Sequence, residues 1–386
     1  MFLQTLMSKN QELIEYAFTL HQQQKIEPDT YVLDIDAILK NAKQLKEAAD
    51  QYHIDLFFMT KQMGRNPHIA KKLMALGYKG AVVVDYREAA VMMRNNIPIA
   101  HAGHLVQIPE GMLERLIEYG VEYLTVYSVE KAKRIDEVCR KLGKRQKVYL
   151  KVVSKEDHLY PGQESGIEIS QLEEAIEGLK VLKNVVIAGV TAFPCFLYDE
   201  DQEEVLPTAN MTTLLKAKEK IECLLDKKIE VNMPSCTQKQ LMKKISEYGG
   251  TQGEPGNSFV GTTPNNRLGK ASEIPAIVYV SEVSHQFRDK TYCYGGGIYS
   301  RGEIDKALVG TCTADAQFMA VEKPNCENID YYIALLQQAQ VGKSVIMSFR
   351  TQIFVTRSHV ALVEGISEKV PRLIGIYDAQ GQLISQ

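Results

Sequence analysis

The sequence predicts an α/β protein, a (β/α)8 TIM barrel followed by a C-terminal, mostly-β domain. Two observations carry this expectation. Between about residues 56 and 254, eight short apolar, β-branched runs alternate with stretches of helical spacing. Beyond about residue 260 helices become scarce, and strand-like runs with turns take over. Parallel strands buried on both faces need continuous apolar runs, and each crossover needs a helix. Eight such units favour a closed barrel over an open sheet. The length of 386 residues agrees. At roughly 100–200 residues per domain it suggests two domains, or one large barrel with an appendage.

In chain order, residues 1–27 have helical spacing, with Leu6, Leu13, Ile14, Phe18 and Leu20 apolar, and Pro28 ends the segment. Residues 31–35 read as a strand and 37–52 as a helix. The eight barrel runs are 56–59, 80–84, 97–101, 123–127, 148–153, 185–191, 229–233 and a weak one near 251–254. Helical stretches at 67–76, 87–94, 129–142, 170–179, 212–225 and 238–248 lie between most of them. Asp85 and Thr191 place polar side chains at strand exits, the end of a barrel where active sites sit. Strands at 276–284, 292–294, 344–355 and 360–364 build the last domain. The expected division is a helical extension over 1–30, a barrel over 31–260 and a β domain over 261–386.

Composition excludes several classes. With 45 Lys plus Arg against 48 Asp plus Glu, the net charge of -3 creates no global attraction to nucleic acid or to acidic membranes. No run of about 18 apolar residues and no basic-then-apolar leader occurs, so neither a transmembrane helix nor a signal peptide is expected. The seven cysteines are odd in number and form no C-x-x-C. They predict reduced thiols in a cytoplasmic protein, with no zinc knuckle and no other metal site.

Three segments have the residue types for chemistry. Residues 60–67, Thr-Lys-Gln-Met-Gly-Arg-Asn-Pro, directly follow the first barrel run. A lysine there is either a solvated loop residue or a desolvated amine whose lowered pKa suits Schiff-base formation. Residues 253–256, Gly-Glu-Pro-Gly, end the eighth run. Glycines there either make a plain turn or let backbone N–H groups reach a phosphate, helped by Ser235 and Thr237 after the seventh run. Residues 292–301, Tyr-Cys-Tyr-Gly-Gly-Gly-Ile-Tyr-Ser-Arg, either form a bulge or let another surface approach closely. They lack the strand-to-helix setting of a dinucleotide fingerprint.

A barrel with a lysine after its first strand, Glu-Pro-Gly at its eighth and a trailing β domain resembles the fold-type III pyridoxal phosphate enzymes, which include alanine racemase and the ornithine and diaminopimelate decarboxylases. More closely, the chain resembles the YhfX family of alanine-racemase-like proteins. Segments 60–67, 103–109, 160–166, 293–297 and 349–357 carry that likeness, which extends over nearly the whole chain.

The resemblance implies pyridoxal 5'-phosphate held by Lys61 and an amino-acid racemase that works on Cα with Lys61 and Tyr294 as acid/bases on opposite faces. It places Glu254 against the pyridine nitrogen, where alanine racemase has arginine, and in this the chain looks more like the decarboxylases. It implies a homodimer, because the tyrosine comes from the partner subunit. The phosphate is expected among Ser235, Thr237 and Gly256, with Arg65 as a further partner. His104 is expected at the cofactor, and Gln163 and Arg350 at a small amino-acid substrate. The alternatives are a decarboxylase, a non-catalytic pyridoxal phosphate carrier and, outside this cofactor, a sugar-phosphate barrel enzyme.

Three departures from relatives stand out. Ala192 replaces a histidine common in relatives, and Val152-Val153-Ser154 replaces the Thr-Gly-Met-x-Arg of alanine racemase. His359 is followed by Val360 and Ala361, so the His-x-Cys metal pair of the D-serine dehydratase and D-threonine aldolase branch is missing.

Overall fold

A computed structural model describes residues 2–299, 302–325 and 327–386. Ser300 and Arg301 of the glycine motif, and Cys326, lie outside them. The chain divides into two compact units, one of residues 44–59 and 70–256, the other of residues 1–43, 60–69 and 257–386.

The first unit is the barrel. Its eight strands are Asp55–Phe58, Gly80–Val82, Ile99–Ala102, Tyr123–Val126, Gln146–Val153, Val185–Thr191, Glu230–Asn232 and Gln252–Gly253. Each pairs in parallel with the next, and the eighth closes on the first through Gln252–Asp55 and Gly253–Leu56. Helices Tyr86–Arg94, Glu110–Tyr119, Val129–Leu142, Leu172–Lys180, Ala209–Leu225 and Met242–Glu247 alternate with them. Asp85 sits at a strand exit, as expected, but it serves as a helix cap. Its Oδ1 accepts the Glu88 backbone N–H at 2.8 Å, satisfying a donor that the first helical turn leaves open.

Inside the barrel, side chains from alternate positions fill the space. Phe57, Tyr123 and Tyr149 form an aromatic plug, with Tyr123 and Tyr149 stacked 4.4 Å apart and Phe57 6.0 Å from Tyr123. Burying each such ring contributes roughly 1.5–3 kcal/mol. The Tyr149 hydroxyl donates to Gln252 Oε1 at 2.5 Å, so its polar tip is satisfied.

The second unit is built on a ten-stranded sheet. Ile277–Phe287 is its longest strand, flanked by Thr30–Asp34 on one side and Ser344–Met347 on the other. Thr30–Asp34 also runs parallel to His359–Glu364. This corrects the expected boundary at residue 31, because the chain's first strand belongs to the β unit and not to the barrel. All five of its residues are buried, so locally it reads like a barrel strand, and only its distant partners assign it.

The N-terminal segment is two helices, Leu3–Lys9 and Gln11–Gln22. They break at Asn10, whose amide donates to Asp34 Oδ2 at 2.8 Å and to the Pro275 carbonyl at 3.1 Å. Leu6, Leu13, Ile14 and Phe18 pack on Val32, Val278, Val280 and Ile346, so these helices are part of the β unit's core. The strand expected over 344–355 stops at Met347, and Ile353–Val355 is a single 3-10 turn. Strands Lys306–Gly310, Gln317–Ala320, Tyr332–Leu335, Arg372–Tyr377 and Leu383–Ser385 were not foreseen. Among the described residues no helix is long and apolar enough to cross a membrane, and no disulfide joins two cysteines.

Candidate active site

Above the aromatic plug, the barrel changes from apolar to polar. His101 comes from the third strand, Thr125 from the fourth, Lys151 from the fifth, Thr191 from the sixth and Asn232 from the seventh. Glu254 follows the eighth. Lys151, Thr191 and Asn232 share one register level. Glu254 is the centre of a hydrogen-bonded set. Its Oε1 lies 2.6 Å from His101 Nδ1 and accepts from Asn232 Nδ2 at 3.1 Å. The other ring nitrogen of His101 is 2.5 Å from Thr125 Oγ1. Asn232 is oriented in turn by the Thr191 hydroxyl, which donates to its Oδ1 at 2.9 Å.

The Glu254 side chain is buried. Burial pushes its carboxyl up, but the imidazoles of His101 and His104, with hydrogen bonds from His101 and Asn232, outweigh burial and hold it below the usual range. The group is a carboxylate in a dry environment. Among the described residues its second oxygen, Oε2, has no hydrogen-bond partner. A buried anion with an open acceptor position suits a cationic ring N–H.

The loops after the seventh and eighth strands meet at Thr237, whose Oγ1 accepts the Glu254 backbone N–H at 3.1 Å. Ser235 and Cys236 both have left-handed backbone, with φ of 85° and 50°, which turns the chain sharply at this point. The Ser235 hydroxyl donates to the Phe196 carbonyl at 2.8 Å. Gly256 follows Pro255, whose carbonyl accepts the Met59 N–H at 2.9 Å. The His104 ring lies 5.4 Å from His101 and 5.6 Å from Phe193. Gln163 is in a loop over the fifth strand, and its carbonyl accepts from Ser165 Oγ at 3.1 Å. The barrel unit thus gathers His104, Ser235, Thr237 and Glu254 around its mouth.

The other expected residues belong to the β unit. Lys61 begins a one-turn 3-10 helix, Lys61–Met63. The Thr60 carbonyl accepts the Met63 and Arg65 N–H groups at 2.8 and 3.0 Å, which closes the turn. Gly64 has φ of 64°, and a Cβ there would stand 2.9 Å from Val360 Cγ2, so only glycine fits without strain. Arg65, a candidate phosphate partner, is buried, with its guanidinium 5.0 Å over the Phe354 ring and Nη1 donating to Gln380 Oε1. Arg350 lies between Ser344–Met347 and the 353–355 turn, and among the described residues its Nε has no hydrogen-bond partner.

Tyr294 ends its strand and is 37% exposed. With Asp29, Tyr331, Tyr332 and Arg357 it lines an open concavity of about 430 Å³. The glycines beyond it are pinned by Asp330, whose Oδ2 accepts the Gly296 and Ile298 N–H groups at 2.9 and 3.2 Å. A Cβ on Gly296 would stand 2.3 Å from Asp29 Oδ2, which explains the glycine.

Sequence reasoning missed His101, Thr125, Lys151 and Asn232. His101 and Lys151 both sit inside runs that read as plain barrel strands. A histidine or lysine in an otherwise apolar parallel strand is itself the signal, because such strands are buried on both faces.

Comparison with known proteins agrees with this architecture. The family model described as alanine racemase, N-terminal domain matches residues 33–264, and that described as YhfX-like, C-terminal domain matches residues 278–373. Over 386 residues the chain is 44% identical to the uncharacterized protein YhfX of Escherichia coli strain K12, covering 99% of each. Among solved structures, D-threonine aldolase from Filomicrobium marinum matches with a TM-score of 0.69 at 16% identity, over 92% of this chain and 96% of that one. Alanine racemase from Clostridium difficile 630 gives 0.64 at 16%, over 91% and 98%. Diaminopimelate decarboxylase from M. jannaschii gives 0.61 at 17%, over 93% and 91%. These structural likenesses establish the shared fold.

Proposed function

The chain belongs to the YhfX family and carries the N-terminal domain of the alanine racemases, and from that premise we propose that it is a pyridoxal 5'-phosphate enzyme that racemises a free amino acid. Families of this fold generally bind that cofactor. The observation that carries the proposal is Glu254, a buried carboxylate kept ionised by His101 and Asn232 with Oε2 left open. An ionised acceptor of this kind fits the N–H of a protonated pyridine ring.

In this reading Lys61 would hold the cofactor through its amine, Glu254 would face the ring nitrogen, and Ser235, Thr237 and Gly256 would hold the phosphate. When bound, pyridoxal phosphate supplies an electron sink for the charge left on the substrate's Cα. Glu254 strengthens that sink by favouring a protonated ring nitrogen. Lys61 Nζ takes or returns the Cα proton on one face, and the Tyr294 hydroxyl does so on the other. The exposure of Tyr294 supports its donation to the site of a second copy, and hence a homodimer.

A second reading, amino-acid decarboxylation, is favoured by the same Glu254, since a strong sink also stabilises the charge left by departing CO2. Incubating L- and D-amino acids with the protein in heavy water separates the two. Racemisation puts deuterium on Cα, erodes enantiomeric purity and releases no CO2. Release of CO2 with unchanged chirality in recovered substrate would overturn it.

A further inference from the structure

Lys151 has no role in the reaction proposed above. It lies on the fifth barrel strand and is 2% exposed. Its side chain faces the barrel interior, since Tyr149, two positions earlier, packs at 5.1 Å on His101. Its ammonium donates to Ser165 Oγ at 2.7 Å and lies 5.0 Å over the Tyr127 ring. Ser165 belongs to the loop that carries Gln163, and the Tyr127 hydroxyl donates to the His104 carbonyl at 2.5 Å. Lys151 is also at the level of Thr191 and Asn232, which lead by hydrogen bonds to Glu254.

Among the described residues, no carboxylate pairs with it. An ammonium has three N–H donors, and one hydroxyl and one ring face leave it under-compensated. Burying an unpaired cation is costly, and a chain that needed only packing there would be better served by an apolar side chain. Burial pushes the amine down to about 8, which shows how far the pocket penalises the charge in the absence of an anion.

The barrel mouth therefore holds two opposite charges that are treated differently. Glu254 has a histidine and an amide on one oxygen, and among the described residues no carboxylate pairs with Lys151. A substrate that is an amino acid brings a carboxylate, and the proposed place of the cofactor's phosphate is at the loops that carry Ser235, Thr237 and Gly256.

We propose that Lys151 is the anchor for the α-carboxylate of the substrate, which it receives as the missing counter-ion in the barrel mouth. This rests on the pyridoxal phosphate reading and deepens it. A carboxylate held in an ion pair keeps its charge stabilised, which opposes its departure as CO2 and favours breaking Cα–H. The anchor also limits the substrate class to compounds that keep a free α-carboxylate and excludes simple amines.

The test uses the cofactor-loaded protein with two probes, aminooxyacetate and O-methylhydroxylamine. Each aminooxy nitrogen forms a C=N bond to the carbonyl carbon held by Lys61, and the lysine amine leaves. Only aminooxyacetate carries a carboxylate. Loss of the visible absorption of the lysine-bound cofactor reports the rate. The wild type should prefer aminooxyacetate by roughly tenfold or more, the size expected of one charge-assisted hydrogen bond. Lys151→Met should keep the visible band and lose that preference, and Lys151→Arg, which keeps the charge, should retain part of it. Lys151→Met should also melt no lower than the wild type, because an apolar isostere relieves a buried charge. An equal preference in wild type and Lys151→Met, or a markedly lower melting point with the preference intact, would overturn the inference while leaving the cofactor reading in place. No visible band in the wild type would overturn that reading, and the inference with it.

Discussion

Replacing Glu254 by glutamine removes one charge and keeps the shape. The amide oxygen can still accept from His101 and Asn232, as Glu254 Oε1 does at 2.6 and 3.1 Å. The amide nitrogen then occupies the place of Oε2, so a donor stands where an acceptor without a partner among the described residues was. A ring nitrogen opposite it loses a charged acceptor. Hydrogen bonds to charged groups contribute about 1.5–3 kcal/mol. If that contribution is fully expressed while charge develops on Cα, exchange of Cα–H slows by roughly 10- to 150-fold, at about 1.4 kcal/mol per factor of ten. The assay is deuterium incorporation at Cα in heavy water, with wild type and Glu254→Gln matched for bound cofactor by absorbance. Glu254→Gln with a full visible band and a wild-type exchange rate would refute the reasoning, because Glu254 would then have no electronic role.

Other outcomes follow from the same geometry. Because Glu254's carboxyl is held below its ordinary range, it contributes stability above the unfolded carboxyl value near ~4.3 and loses it as pH falls through the folded value. The stability gap between wild type and Glu254→Gln, followed by acid titration of circular dichroism, should therefore close below about pH 4. Gly64→Ala places a side chain at φ 64° against Val360. It should cost about 1–3 kcal/mol in a denaturant titration and weaken cofactor retention by shifting the Lys61 turn. Tyr294→Phe removes only a hydroxyl on a 37% exposed ring. Its stability should stay within about 0.5 kcal/mol of wild type. Chiral chromatography should show racemisation collapsing while deuterium exchange from one enantiomer persists.

The barrel was legible because its strands are local. Each is a short apolar run bounded by turn residues, and eight in series leave few topologies. The β unit was less so. Gln317–Ala320 is only four residues long and leaves Phe318 exposed, so its apolar residues do not alternate with a buried face, and Thr30–Asp34 looks like a barrel strand until Val280 and His359 pair with it. The site divides along the same line. Glu254 stands in a recognisable Gly-Glu-Pro-Gly and Lys61 in a recognisable turn. His101 lies 153 residues before Glu254, and nothing in an Ile-Ala-His-Ala strand announces a carboxylate partner. Lys151 was readable as an outlier in an apolar strand, but its partners Ser165 and Tyr127 come from other segments and are not marked in the sequence. The surroundings of Arg65, the Phe354 ring and the Gln380 amide, come from distant segments and were not legible locally.

The central claim is that Lys61 carries pyridoxal phosphate, and borohydride reduction tests it most directly. Hydride reduces the C=N bond between lysine and cofactor to a stable amine, and mass spectrometry of peptides then locates the added phosphopyridoxyl group. The account predicts that group on Lys61. Reduction that leaves every peptide unlabelled after loading with the cofactor, or that labels a different lysine such as Lys151, would contradict it.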